Sequence, residues 1–182
     1  MEVGVDPSRI VLGGASSGGG AAAAVALRLR DEGQYRLLHQ LLIYPMLDDR
    51  NTTRSSAEVT DPELWSRRSN ELAWRAYLGA LHGSDDVPAY AAPARAADLS
   101  GLAPATILTG ELDLFVDENI EYAQRLLAAG VGLELHVYPS VHHGFNVHNP
   151  AAIISRRFFA DRDSALRRAF AAGGPSERNE DD

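Results

Sequence analysis

The chain has 182 residues, 45% of them hydrophobic and 23% charged, which fits one globular domain with a substantial core and excludes a disordered or collagen-like chain. It contains no cysteine, so a disulfide framework, thiol catalysis and a thiolate metal site are excluded together. Its 25 acidic and 17 basic side chains leave a formal net charge of −8, and no Lys/Arg stripe interleaved with aromatics argues for a nucleic-acid partner.

No apolar run approaches the roughly eighteen residues needed to span a bilayer. The opening residues Met1-Glu2-Val3-Gly4-Val5-Asp6 are acidic and lack the regions of a signal peptide, so the expected location is cytoplasmic. Asp6-Pro7-Ser8-Arg9 reads as a turn or cap. Ile10-Val11-Leu12 then reads as a short buried strand that stops at Gly13-Gly14. Residues 18–30 are alanine-rich and predict a helix with a thin, smooth face. Three successive glycines at its start cost helix propensity, roughly 1 kcal/mol each, and imply a backbone that comes close to something.

A second strand is expected over residues 37–44, ended by Pro45, followed by polar turn material over about 48–62. Residues 62–79 look helical, with Leu64, Trp65, Leu72, Trp74, Tyr77 and Leu78 as apolar contacts. An Ala/Pro/Asp-rich stretch leads to a third strand, Thr106-Ile107-Leu108-Thr109. An amphipathic helix over 119–129 follows, closed by Gly130. Residues 133–138 alternate as a fourth strand, with Leu133, Leu135 and Val137 on a covered face and Glu134, His136 and Tyr138 on a partly polar one. A last helix spans 153–171, with Ile153, Ile154, Phe158 and Phe159 as early buried residues. Residues 172–182 read as a disordered acidic tail. Strands alternating with helices predict a mainly parallel sheet covered on both faces, whose functional residues gather at the carboxyl ends of the strands.

Three such ends carry chemistry. Gly14-Ala15-Ser16-Ser17-Gly18 is a G-x-S-x-G sequence between a strand and a helix, the setting of a nucleophile elbow. Gly14 and Gly18 are the elbow glycines, expected where a Cβ would strike neighbouring backbone. The Ser16 hydroxyl would stand clear at the helix N-terminus, with the Ser17 amide directed at developing negative charge. The plainer alternative is a glycine-rich turn with capping serines. Asp113, past the third strand, can hold a histidine tautomer; Glu111 and Asp117 are rivals, and Asp117 and Glu118 also suit helix capping.

His143, past the fourth strand and beside Gly144, suits a general base, imidazole having an ordinary pKa near about 6.5. Its rivals are His136, His142 and His148. His39 and His136 fit structural strand histidines better, and the spacing of His142, His143 and His148 matches no standard zinc motif. No metal or other cofactor is implied. Serine, acid and histidine follow one another in the chain order of an α/β-hydrolase.

With these segments in view, the sequence resembles the carboxyl-terminal part of the hormone-sensitive-lipase-like branch of α/β-hydrolase esterases. Members carry Gly-Asp-Ser-Ala-Gly-Gly, Asp-Pro-Leu-x-Asp-Glu and His-Gly-Phe segments. Here the counterparts are Gly14-Ala15-Ser16-Ser17-Gly18-Gly19, Asp113-Leu114-Phe115-Val116-Asp117-Glu118 and His143-Gly144-Phe145. Leu42-Ile43-Tyr44-Pro45-Met46-Leu47-Asp48 and Trp74-Arg75-Ala76-Tyr77-Leu78-Gly79 are similar to the strand after the elbow helix and to a cap helix. The resemblance implies Ser16 as nucleophile, Asp113 as acid, His143 as base and the Ser17 N–H as one oxyanion donor. It implies a hydrolase domain over residues 1–171, with 50–90 as a partial cap in which Trp65, Trp74 and Tyr77 line a pocket or form cap core.

Two departures concern the elbow, where Ala15 and Ser17 replace the family's aspartate and alanine. A third is the absence of the upstream His-Gly-Gly-Gly loop and first strands, so an amino-terminally truncated fold is expected. Loss of one oxyanion donor costs about 3–4 kcal/mol of transition-state stabilisation. The expected function is hydrolysis of a small or medium acyl ester through an acyl-enzyme. The alternatives are an amidase or lactonase using the same triad, and an inactive remnant serving as an interaction module. Strand Ile10-Val11-Leu12 would present an unpaired edge, so self-association or pairing with an amino-terminal segment is expected.

Overall fold

The computed structural model describes residues 6–172. Four strands, β1 (Ile10–Ala15), β2 (Leu37–Ile43), β3 (Ala105–Gly110) and β4 (Leu133–Tyr138), form one parallel sheet in the order β1-β2-β3-β4. Six α-helices surround it: α1 (Ser17–Glu32), α2 (Arg54–Glu58), α3 (Arg67–Leu78), α4 (Val116–Ala128), α5 (Phe145–His148) and α6 (Ile153–Ala172). The opening residues 1–5 and the acidic stretch 173–182 lie outside the described residues. Among the described residues no helix is long and apolar enough to cross a membrane.

Alternation along the central strands separates two cores. Leu42 and Ile107 pack beneath α1 and α4, with Ala22, Ala23, Ala26, Leu27, Tyr122 and Leu126. Leu41, Leu108 and Tyr138 face the other way, against Phe145 and the α6 residues Phe158 and Ala165. The sheet is therefore covered on both faces, and the turns that follow its strands are left free to carry a site. A third cluster stands at those turns: Met46 and the pair Leu114 and Phe115 meet Trp74 and Leu78 of α3. Segment 50–90 is thereby fastened to the strand ends. Ser55 strengthens this attachment, its N–H donating to Asp117 Oδ2 at 2.7 Å and its hydroxyl to the Leu114 carbonyl at 2.7 Å.

Several expectations change. β1 continues through Gly13 and Gly14 to Ala15, which register with Leu41, Leu42 and Ile43; a Cβ at Gly13 would lie 3.1 Å from Leu41, so glycine admits the close approach. α3 begins at Arg67 and not at 62, because Asp61 makes a turn of its own, accepting from the Glu63 and Leu64 amides. Leu72 and Tyr77 are exposed, while Trp74 and Leu78 carry the contacts of this helix. α4 begins at Val116, three residues earlier than expected, since Asp113 Oδ1 accepts the Phe115 N–H at 2.9 Å and starts the turn upstream. Ile153 is 80% exposed in the first turn of α6, and Phe158 takes the core position.

In β4 it is Leu135 and Val137 that are exposed. The opposite face lies under α6, whose Asp161 accepts from the Tyr138 hydroxyl and whose Arg168 pairs with Glu134. Polar and charged side chains of α6 thus pair with those on this side of the strand.

Candidate active site

Ser16 joins β1 to α1 with φ 58° and ψ −125°, a conformation that L-residues seldom adopt and that costs about 1–3 kcal/mol. The surroundings over-determine it. Its N–H donates to the Ile43 carbonyl at 2.9 Å, and its own carbonyl accepts from Gly19, Gly20 and Met46 at 2.9, 3.1 and 3.1 Å. Close approach explains three of the glycines here. A Cβ at Gly14 would lie 2.1 Å from the Gly18 carbonyl oxygen, one at Gly20 2.0 Å from that of Met46, and one at Gly19 3.0 Å from Pro45. Gly18 is a correction: a Cβ there meets nothing within 4 Å, because its Cα faces outward at the start of α1.

The pair gives opposite expectations. Gly20→Ala should destabilise the fold by about 1–3 kcal/mol through overpacking against rigid backbone. Gly18→Ala should be neutral or stabilise by up to about 1 kcal/mol through helix propensity. Denaturant unfolding of both variants checks this, and equal losses would contradict it.

The structure brings Asp113 and His143 to Ser16. Asp113 is fully buried in the turn after β3, and His143 follows β4 ahead of Gly144, whose φ of 73° lets the loop reverse. His143 Nδ1 lies 2.8 Å from Asp113 Oδ2, and His143 Nε2 lies 3.0 Å from Ser16 Oγ. With the carboxylate accepting at Nδ1–H, Nε2 is left with a lone pair facing the serine hydroxyl, which donates to it. The imidazole is wedged between aromatic rings: Tyr44 edge-on at 4.5 Å between centroids and Phe115 at 5.2 Å, with Trp65 at 6.4 Å. The Tyr44 hydroxyl also donates to Asn146 Oδ1 at 3.0 Å, tying the end of β2 to α5, which directly follows the histidine loop.

The rival residues are occupied elsewhere. Glu111 Oε2 accepts the Ser140 N–H at 2.8 Å and Asp117 accepts from Ser55. His142 Nδ1 lies 2.8 Å from the His143 carbonyl, its ring 5.2 Å from that of His148. His136 sits between Glu134 and Asp161, and His39 lies 2.8 Å from the Thr106 hydroxyl. Among the described residues no group of three or more His, Asp or Glu side chains is gathered to hold a metal. Glu118, read as a capping acid, is 2% exposed and reaches back to the Leu47 and Asp48 amides. Burial pushes its carboxyl well above the ordinary range, opposed by the Leu47 hydrogen bond and reinforced by the charge of Asp48.

Ser17 is the first residue of α1, and its N–H has no acceptor among the described residues. Beside it a cleft of about 500 Å³ opens, lined by Ser16, Ser17, Met46, Trp65, Trp74 and Tyr77 among others, with no charged side chain in its wall. Trp65, Trp74 and Tyr77 thus all border it, although Trp74 is also 2% exposed and packed against Met46, Leu114 and Phe115. A larger hollow of about 690 Å³ lies at the opposite end of the sheet and holds none of these groups. Sequence reading did not single out Tyr44, Phe115 or Asn146. The only signal for Tyr44 was its place at a strand end before Pro45.

The curated relatives point the same way. At 41% identity over 148 residues, the chain is similar to carboxylesterase NlhH of Mycobacterium tuberculosis, with 79% of this chain and 46% of that protein covered. Among solved structures, a bacterial heroin esterase superposes with a TM-score of 0.89 at 46% identity, over 93% of this chain and 54% of that one. Esterase LipW from Mycobacterium marinum superposes with a TM-score of 0.85 at 38% identity, over 92% and 52%. The chain spans about half the length of the curated relatives it matches. The family model described as the alpha/beta hydrolase fold matches residues 1–147, and with its parallel sheet and strand-end serine the chain belongs to that family.

Proposed function

We propose that this chain carries the catalytic half of a carboxylic ester hydrolase of the hormone-sensitive-lipase-like branch, with Ser16 as nucleophile, His143 as base and Asp113 as the orienting acid. Ser16 Oγ attacks the acyl carbon while His143 Nε2 takes its proton. The carbonyl electrons move onto oxygen, which accepts a hydrogen bond from the Ser17 N–H at the α1 N-terminus. Collapse of the tetrahedral intermediate expels the alcohol, protonated by His143. Water then attacks the acyl-enzyme with His143 again as base, releasing the acid and restoring Ser16.

The observation that carries this reading is the continuous chain Ser16 Oγ, His143 Nε2, His143 Nδ1, Asp113 Oδ2, at 3.0 and 2.8 Å, on three different strand ends. The uncharged, aromatic-walled cleft beside it suits a neutral small or medium acyl ester, with segment 50–90 as a partial cap on a domain spanning 1–171. Turnover of a small aryl ester that disappears in Ser16→Ala supports the proposal. A folded chain without turnover would favour a non-catalytic interaction module.

Self-association, or pairing with an amino-terminal segment, belongs to the same proposal. Its support is that β1 is hydrogen-bonded to β2 alone among the described residues and leaves Gly13 and Ala15 exposed. Light scattering on the 182-residue chain by itself should give a mass above 19.6 kDa. A sharp, cooperatively unfolding monomer would contradict it.

A further inference from the structure

Glu118 is a buried carboxyl with no part in the reaction just proposed. An acid in the first turn of a helix needs only to face solvent to interact well with the helix dipole. This one is buried near Asp48 and Asp113, which is an unfavourable place for a carboxylate. Its hydrogen bonds leave α4 altogether. Oε1 accepts the Leu47 N–H at 2.7 Å and the Asp48 N–H at 3.3 Å, and the neighbouring Asn119 Nδ2 donates to the Pro45 carbonyl at 2.7 Å. Two adjacent side chains thus grip residues 45–48 from both ends.

The gripped segment lies against the nucleophile. Met46 N–H donates to the Ser16 carbonyl at 3.1 Å, its own carbonyl leaves no space for a Cβ at Gly20, and Pro45 lies similarly close to Gly19. Just upstream, Tyr44 lays its ring against His143. Five residues before Glu118, the turn that leads into α4 supplies Asp113. One short stretch of chain therefore reaches the acid directly and the nucleophile through segment 45–48.

We infer that Glu118 is a positioning residue that, together with Asn119, fixes segment 45–48 and through the Met46–Ser16 hydrogen bond sets the nucleophile's backbone relative to His143. The inference rests on the reading of Ser16 as nucleophile. Glu118→Gln retains a carbonyl oxygen for the Leu47 and Asp48 amides, whereas Glu118→Leu keeps similar volume and offers no acceptor. Asn119→Ala releases the other end of the segment and serves should the leucine variant fail to fold.

Two readouts apply to each variant: kcat and KM for a small aryl ester, and hydrogen exchange at the Met46 amide. Glu118→Leu and Asn119→Ala should lower kcat by about 10- to 100-fold, the scale of a misplaced reacting group, with KM little changed. Both should lose Met46 protection, and Glu118→Gln should restore kcat and protection together. Unchanged Met46 protection in a folded leucine variant would overturn the inference, and so would lost protection with kcat unaltered or a change in KM alone. If the wild-type chain hydrolyses no ester, the nucleophile reading falls, while Met46 exchange still decides whether Glu118 holds the elbow.

Discussion

Ser16→Ala is expected to lower kcat for aryl-ester hydrolysis by about 10⁴- to 10⁶-fold, the range seen when a triad nucleophile is removed. In the proposed reaction the hydroxyl is the group that forms the acyl bond, and no neighbour among the described residues is placed to substitute. Ser17 is one residue away, yet it opens α1 and makes no hydrogen bond to His143. Alanine keeps a Cβ, so the φ of 58° is no less strained and the fold should unfold at nearly the same denaturant concentration. Steady-state kinetics with protein purified apart from any wild-type source would measure the loss. A loss below about tenfold would place the reaction on another nucleophile.

Asp113→Asn is expected to cost about 10⁴-fold in kcat with little change in KM, through the histidine tautomer. Asp113 is fully buried and uses both oxygens, Oδ2 toward His143 and Oδ1 toward the Phe115 N–H. An asparagine can satisfy only one of them as an acceptor. If its oxygen stays with Phe115, its amide turns N–H toward Nδ1, which must then accept. The proton moves to Nε2, where it blocks transfer from Ser16. If the amide flips, two N–H groups face each other at Phe115 and the start of α4 is destabilised. Kinetics and thermal unfolding separate these outcomes. Retention of more than about a tenth of wild-type kcat would show that Asp113 does not orient the base.

The parts of the fold written in local pattern were legible in the sequence. Strands 37–44 and 133–138 are apolar or alternating runs bounded by turn residues, and both appear within a residue of the expected bounds. Ser16, Asp113 and His143 could be chosen because each stands at the carboxyl end of a strand, which is a rule about sequence order as well as space. What tertiary packing decides was not legible. Gly18 and Gly20 look alike in the run Gly18-Gly19-Gly20, and only the position of Met46 makes one indispensable. Glu118 looks like a helix-capping acid until the chain brings Leu47 and Asp48 to it from about seventy residues away. The alternation of β4 was correctly seen, but Leu135 and Val137 are exposed while Tyr138 is buried and Glu134 pairs with Arg168 of α6. Tyr44, Phe115 and Asn146 belong to the site through contact with His143 or its loop, and no local spacing announces such contacts.

A fluorophosphonate probe reads the nucleophile most directly, because it reacts with a serine activated by its base and does not depend on knowing the natural ester. Folded wild-type chain, digested and mapped by mass spectrometry, should carry one adduct on Ser16, and that adduct should be absent or strongly slowed in His143→Ala. No adduct on folded protein, or an adduct at another serine, would contradict the assignment of Ser16, His143 and Asp113 as a working triad.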